Sequence, residues 1–333
     1  MRNSTIDGLK TLSALAVVFI HCNKVQGDIG QIYTLAIRSL SRVAVPFFFM
    51  ITGFYLSSLI EKRKCTQYVG KILKLAIISS VFYLFEAPIV ALFRDEITGF
   101  FVFFGGVFSW LESRYSIKLF IECLLTCKDP FKYHLWYLYA LVYSLLFLTV
   151  VLKSSYRDYI RYILLIIPLI ITYEYLGLEY PLTRNYLLGI PCIVIGFLTY
   201  ESRNIFPIQY LWMGIVITSL LSIVESLVLW QYRLLDLDVY SCTIPLAWLL
   251  LLFAKQRPYC IDNGLSKIGL LYSTGIYIFH PFVADMLKFF FSRDTTMNQF
   301  IFPYLVFALT LLFCMCLRLI ERKLYTFKHK VQH

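Results

Sequence analysis

Apolar residues in this chain come in long unbroken runs rather than in alternation or in a helical one-face rhythm. The runs approach the roughly 20 residues that an α-helix needs to cross about 30 Å of hydrocarbon. They fall near 7–25, 42–60, 72–93, 134–152, 160–176, 184–200, 207–230, 239–254, 268–291 and 299–319. The pattern predicts an all-α integral membrane protein with about ten transmembrane helices in one bundle. Several runs contain proline (Pro46, Pro88, Pro168, Pro191, Pro245, Pro281, Pro303). Membrane helices tolerate it, because neighbouring helices and ordered water re-satisfy the freed carbonyls. No internal repeat or low-complexity tract interrupts the series, so residues 1–333 read as a single membrane domain.

The first run begins like a secretory signal, with Met1-Arg2 ahead of an apolar segment. However, Phe19-Ile20-His21-Cys22-Asn23 offers no small-x-small cleavage site, and the expectation is a retained span. The longest break, 94–133, mixes charges with the apolar piece Phe100–Phe108. That piece is too short to span, which predicts an interfacial or re-entrant segment in an outside loop.

Composition supports the membrane reading. Of 333 residues, 59% are hydrophobic and 15% charged, against about 25% charged in soluble domains. The net charge of +11 could point to nucleic acid, but its placement points elsewhere. With the N-terminus in the cytoplasm, most of the 31 Lys and Arg residues collect in cytoplasmic segments, as the positive-inside rule requires. An even number of spans then puts both termini in the cytoplasm. The charge marks orientation and contact with anionic lipid, and no nucleic-acid partner is expected. The nine cysteines lack zinc-site spacing and read as small buried hydrophobes, so no metal is expected. Cys123 and Cys127 share a loop and could pair in an oxidising compartment.

Against this apolar background a few polar residues stand out, since an ionisable group within a span is expensive and marks a functional candidate. Lys10 and His21 are eleven positions apart, which at 100° per residue leaves them about 20° from alignment on one helical stripe and roughly 16 Å apart along the axis. The stripe would hold a cation near one surface and an imidazole, able to act as a general base, deeper in. A packing histidine hydrogen-bonded to a neighbouring helix is the plainer alternative. Glu86 in the third span needs an interior partner, and it could orient His21 or receive a proton. Glu225 is similar, with Arg233 or an outer polar group as its simplest partner. His280, with Asp285 five residues on, is a second imidazole within a span, and His134 stands at the outer edge of the fourth. Lys71 and Lys74 share a face at the cytoplasmic mouth of the third span; they serve as topology signals or as a phosphate clamp.

Five segments together resemble the acyltransferase-3 family of integral membrane acyltransferases. They are Asp7-Gly8-Leu9-Lys10 with ten residues before His21, Val45–Phe54, His134-Leu135-Trp136-Tyr137-Leu138, Gly189-Ile190-Pro191 with Ile195-Gly196, and Gly275–Pro281. Lys10 stands where that family usually has Arg, and Lys71-x-x-Lys74 where it has Arg-x-x-Arg. Charge is kept, but the bidentate guanidinium fork is lost. The resemblance implies a multi-pass enzyme of the cell inner or plasma membrane that uses acyl-CoA, often acetyl-CoA, as co-substrate without a permanently bound cofactor. The acceptor would be a hydroxyl of a glycan or lipid-linked saccharide. His21 would act as base or acyl carrier, with Lys10 and Glu86 assisting. Lys10, Lys71 and Lys74 would hold the CoA phosphates, and Trp136, Tyr277 and His280 would line the acceptor site. The competing class is a polysaccharide carrier or flippase in which Glu86, Glu225 and His280 relay protons. Such carriers usually show inverted repeats, and none is visible here. A membrane scaffold would leave the Lys10–His21 alignment unexplained.

Overall fold

The computed structural model describes residues 2–93, 116–126, 129–175, 184–203, 206–232 and 237–331. Regular structure among these residues is entirely helical: α1 (Ser4–Cys22), α2 (Asp28–Ser41), α3 (Ala44–Glu61), α4 (Cys65–Phe93), α5 (Ile117–Thr126), α6 (Trp136–Lys153), α7 (Ile166–Tyr175), α8 (Arg184–Glu201), α9 (Ile208–Gln231), α10 (Thr243–Gln256), α11 (Gly264–Phe290) and α12 (Thr296–Val331). Short 3₁₀ segments precede α6 and α7, at Tyr133–Leu135 and Ser155–Leu165.

Local chemistry sets several of these boundaries. The Asn3 side chain accepts from the Ile6 N–H at 2.9 Å and starts α1 earlier than the apolar run alone indicates. Asn263 does the same for α11 through the Leu265 N–H. Between α2 and α3 the helix breaks at Arg42-Val43 and restarts so that Pro46 falls in the first turn of α3. There its missing N–H leaves no hydrogen bond unmade. The run expected as a span at 160–176 is not one α-helix. It is 3₁₀ turns followed by the ten-residue α7, only about 15 Å long. The short helices α2 and α5 were hidden in segments whose charged and polar residues read as loops. Phe100–Phe108, Arg233 and Cys127, and with Cys127 the suggested Cys123–Cys127 pair, lie outside the described residues.

Among the described residues six helical stretches are long and apolar enough to cross a membrane: Ser4–Cys22, Asp28–Glu61, Cys65–Ala91, Tyr133–Lys153, Ile208–Gln231 and Thr296–Leu324. Leu187–Glu201 and Thr243–Gln256 are shorter apolar helices. The protein is a multi-pass, all-helical membrane protein.

The chain divides into two compact units, one of Met1–Ser41 with Arg257–His333 and one of Arg42–Gln256. In the first, α1 packs along α11, with α12 against both and α2 against α1. A Cβ on Gly269 would collide with the Asp7 carbonyl, so the glycine is what lets α11 meet α1 backbone to backbone. Around this line Ala14, Val18 and Cys22 of α1, Ile276 and Ala284 of α11, and Phe302, Val306 and Cys314 of α12 form a buried core.

In the second unit α3 crosses α8 in the same manner. Gly53 lies against the Ile193 carbonyl and Gly196 against the Met50 carbonyl, each too close for a Cβ. Helices α6 and α10 pack on this pair, α4 on α6, and α9 on α10. Small residues at helix contacts are the expected means of association in lipid, where apolar surface by itself gives no drive. Gly196→Leu should therefore destabilise the protein by about 1–3 kcal/mol or more through overpacking. Gly70, with nothing near its would-be Cβ, should tolerate Ala and gain about 0.5–1 kcal/mol. Thermal unfolding in detergent micelles distinguishes the two outcomes.

Candidate functional site

The start of α1 is sewn to the segment leading into α11. The Thr5 hydroxyl donates to the Arg257 carbonyl and accepts from the Cys260 N–H at 2.9 Å. Ser4 donates to the Pro258 carbonyl at 3.2 Å and Thr11 to the Leu265 carbonyl at 2.6 Å. Within this frame Asp7, only 3% exposed, takes a cation on each carboxylate oxygen. Lys10 Nζ is 3.1 Å from Oδ1 and Arg2 Nε 3.1 Å from Oδ2. Two cations on one carboxylate leave one net positive charge, in the first turns of a helix whose N-terminal dipole already favours anions. Sequence reasoning singled out Lys10 but missed Arg2 as its companion. The signal available was the i,i+3 spacing of Asp7 and Lys10.

His21 lies in the last turn of α1 and is exposed. Its ring centroid is 5.2 Å from that of His280 on α11, with 33° between the planes. His280 is fully buried, and its Nδ1 sits 2.9 Å from the Tyr277 carbonyl and 3.1 Å from that of Ile276. Both partners only accept, so Nδ1 carries the hydrogen. The sequence explains this geometry. Pro281 has no N–H for the carbonyl four residues back, which is that of Tyr277, and the neighbouring imidazole takes up the freed acceptor. Tyr277 is buried beside it, 6.5 Å ring to ring. Arg293 holds the end of α1 that carries His21, donating to the Cys22 and Lys24 carbonyls at 3.3 Å. Such a cation suits a helix C-terminus. Asp285 pairs with Lys288 at 2.8 Å.

The second unit carries a different polar cluster. Glu86 on α4, 4% exposed, receives Lys132 Nζ at 3.0 Å, and the same ammonium lies 5.0 Å from the Tyr83 ring centroid. Tyr83 meets the buried His134 edge-on at 5.2 Å. Asp129 closes an Asx turn, accepting from the Phe131 and Lys132 N–H groups at 2.9 and 2.8 Å. Its other oxygen takes the Ser80 hydroxyl, which is also 2.7 Å from Tyr139 Oη. Burial pushes the Asp129 carboxyl up from its ordinary range, and these donors oppose the rise. Ser80, Tyr83 and Glu86 recur every third residue on α4, and Asp129-Pro130 is a turn signal. Those were the marks by which the cluster could have been found.

The remaining predicted residues are spread out. Glu86, Lys71, Lys74 and Trp136 belong to the second unit, and Lys10, His21, Tyr277 and His280 to the first. Lys71 and Lys74 are exposed on the early turns of α4. Trp136 is half-buried, 6.4 Å ring to ring from Phe49. Glu225 is satisfied by the Tyr175 hydroxyl and the Ser241 N–H. Among the described residues no group of three or more His, Cys, Asp or Glu could hold a metal.

Comparison with known proteins adds the family. A family model described as an acyltransferase domain, acyltransferase-3, matches residues 3–319. The chain belongs to that family. This acyltransferase-3 chain is also similar to two curated enterococcal proteins. It is 30% identical over 161 residues to a serine/alanine racemase of Enterococcus gallinarum, covering 45% of this chain and 20% of that protein. It is 28% identical over 155 residues to an amino-acid racemase of Enterococcus faecalis, covering 46% and 20%. The matched segment is thus a fifth of each relative's length. No solved structure matches the acyltransferase-3 chain.

The buried ion pair generates a stability prediction. Lys132→Ala leaves the Glu86 carboxylate without its ammonium and should destabilise the protein by about 3–5 kcal/mol. Replacing both partners by apolar residues of similar size should restore most of that loss, as read by thermal unfolding in detergent.

Proposed function

We propose that this acyltransferase-3 chain moves an acyl group, acetyl in the simplest case, from cytoplasmic acyl-CoA to a hydroxyl of a cell-surface or lipid-linked glycan. The observation that carries the reading is the arrangement along α1, in a chain that the family covers from 3 to 319. At one end Arg2 and Lys10 share Asp7, and at the other His21 meets His280. In this proposal both termini lie on the cytoplasmic face of a plasma or inner membrane, and the Arg2–Lys10 end faces the soluble donor.

The net positive charge at that end binds the CoA phosphates. The pantetheine arm follows the stripe between Lys10 and His21, a distance of roughly 16 Å. There the acceptor hydroxyl gives its proton to the His21 imidazole as its oxygen attacks the thioester carbon. The carbon–sulfur bond breaks, and the departing CoA thiolate takes the proton back. A covalent acyl-histidine on the same ring reaches the same ester in two steps. His280, held by the Tyr277 carbonyl, lies beside His21 and steadies the reacting ring. Tyr277, buried beside His280, contributes an apolar face on which a sugar stacks.

The racemase names describe proteins of which this chain matches a fifth, and amino-acid racemisation is no part of the proposal. His21→Ala should lower acyl transfer by about 10²–10⁴-fold, the usual weight of a positioned base, while the protein still inserts in the membrane. Mass spectrometry of surface glycans should show one acyl mass disappearing from one sugar, and unchanged acylation would end the assignment. Loss of the glycan itself, its acyl content intact, would mark a carrier. Lys10→Ala should raise the KM for acyl-CoA with a smaller effect on kcat; a KM equal to wild type would remove Lys10 from donor binding.

A further inference from the structure

Between α11 and α12, within the first unit, lies a cavity of about 380 Å³ that the acyl-transfer proposal does not use. Its lining changes character along its length. At one end stand Tyr272, Arg318 and Glu321, and at the other Gly275, Phe279 and Cys314. The two helices run antiparallel, Arg318 stacking over the Tyr272 ring at 5.6 Å and Phe279 meeting Phe313 at 5.3 Å. The charged and apolar ends are therefore separated along the helix axis by about 10–12 Å, seven or eight residues of helix rise. Gly275 lets the two helices close on each other at the apolar end, where an added Cβ would come within 2.8 Å of Cys314 Sγ. The rim is apolar and open, with Leu271 41% and Leu317 39% exposed. In a membrane protein such a rim faces lipid.

The charges at the mouth narrow the choice of ligand. Arg318 and Glu321 are one turn apart on α12, close enough to pair as i,i+3 neighbours. Among the described residues neither has an ion-pair partner, on the other or elsewhere. A guanidinium beside a carboxylate that it does not close upon is complementary to a headgroup with both signs, namely a phosphate and an ammonium. Arg is the side chain best suited to the phosphate, and pockets with basic residues between membrane helices are recognised sites for lipid headgroups. An apolar slot of this length beyond the headgroup fits the upper part of one acyl chain.

We propose that this cavity binds a zwitterionic aminophospholipid of the phosphatidylethanolamine type. Arg318 holds its phosphate, Glu321 its ammonium, and the apolar lining of Leu271, Phe279 and Leu317 its first methylenes. The site is separate from the His21–His280 pair, and its test does not read acyl transfer.

The full-length protein, purified in detergent, is incubated with equal amounts of phosphatidylethanolamine and phosphatidylglycerol, and retained lipid is counted by native mass spectrometry. Wild type should retain phosphatidylethanolamine over phosphatidylglycerol by about fivefold, the weight of one additional exposed ion pair. Glu321→Gln should erase that preference while keeping retention of both lipids, and Arg318→Gln should lower retention of both. Both substitutions lie on a half-open surface, so folding is preserved. The proposal is overturned if wild type shows no preference, or if the preference survives in Glu321→Gln. It is equally overturned if free phosphoethanolamine competes as well as the intact lipid, which would assign the site to a soluble phosphate ester.

Discussion

The contact between α1 and α11 is the constraint on which the candidate site rests. Gly269 has no Cβ, so the α11 backbone can lie on the Asp7 carbonyl, and the hydroxyls of Thr5 and Thr11 then reach backbone carbonyls on the partner segment. Once that crossing is set, everything further along α1 follows its axis. The Lys10–Asp7–Arg2 cluster sits at the near end, and His21 arrives beside His280 at the far end. In lipid no hydrophobic drive rewards bringing two apolar helices together, so close backbone approach and side-chain-to-carbonyl hydrogen bonds take that role. The second unit repeats the device with Gly53 and Gly196.

A second regularity is that each isolated charge singled out within an apolar helix has been neutralised or hydrogen-bonded by a neighbour. Glu86 has Lys132, Asp7 has two cations, and Glu225 has a phenol and a backbone N–H. The cost of an unpartnered charge in hydrocarbon explains this pattern, and it separates ordinary from functional polar residues. A carboxylate already engaged by an ammonium is a structural element first. His21, by contrast, is exposed at a helix end and faces the His280 ring.

Much of this was legible in the sequence. Long apolar runs favour helices, because a helix satisfies its backbone within one segment in lipid, and among the described residues six of the ten expected spans correspond to helices long and apolar enough to cross a membrane. The 160–176 run misled, since apolarity alone does not distinguish a spanning α-helix from 3₁₀ turns with a short helix. The stripe shared by Lys10 and His21 also follows from helical periodicity alone, as does the need of Glu86 for a partner. What periodicity within one helix could not supply was the identity of partners on other segments. Lys132 lies 46 residues from Glu86, His280 far beyond His21, and Arg2 was separated from Lys10 by the apparent start of the run. Those pairings depend on which helices cross and at what height, and the crossings were decided by glycines whose importance shows only when the opposing carbonyl is seen. The sequence by itself determined a helical membrane protein with a cation and an imidazole on one ridge. Only the tertiary structure decided what each of them meets, because side chains distant in the chain become neighbours solely through packing.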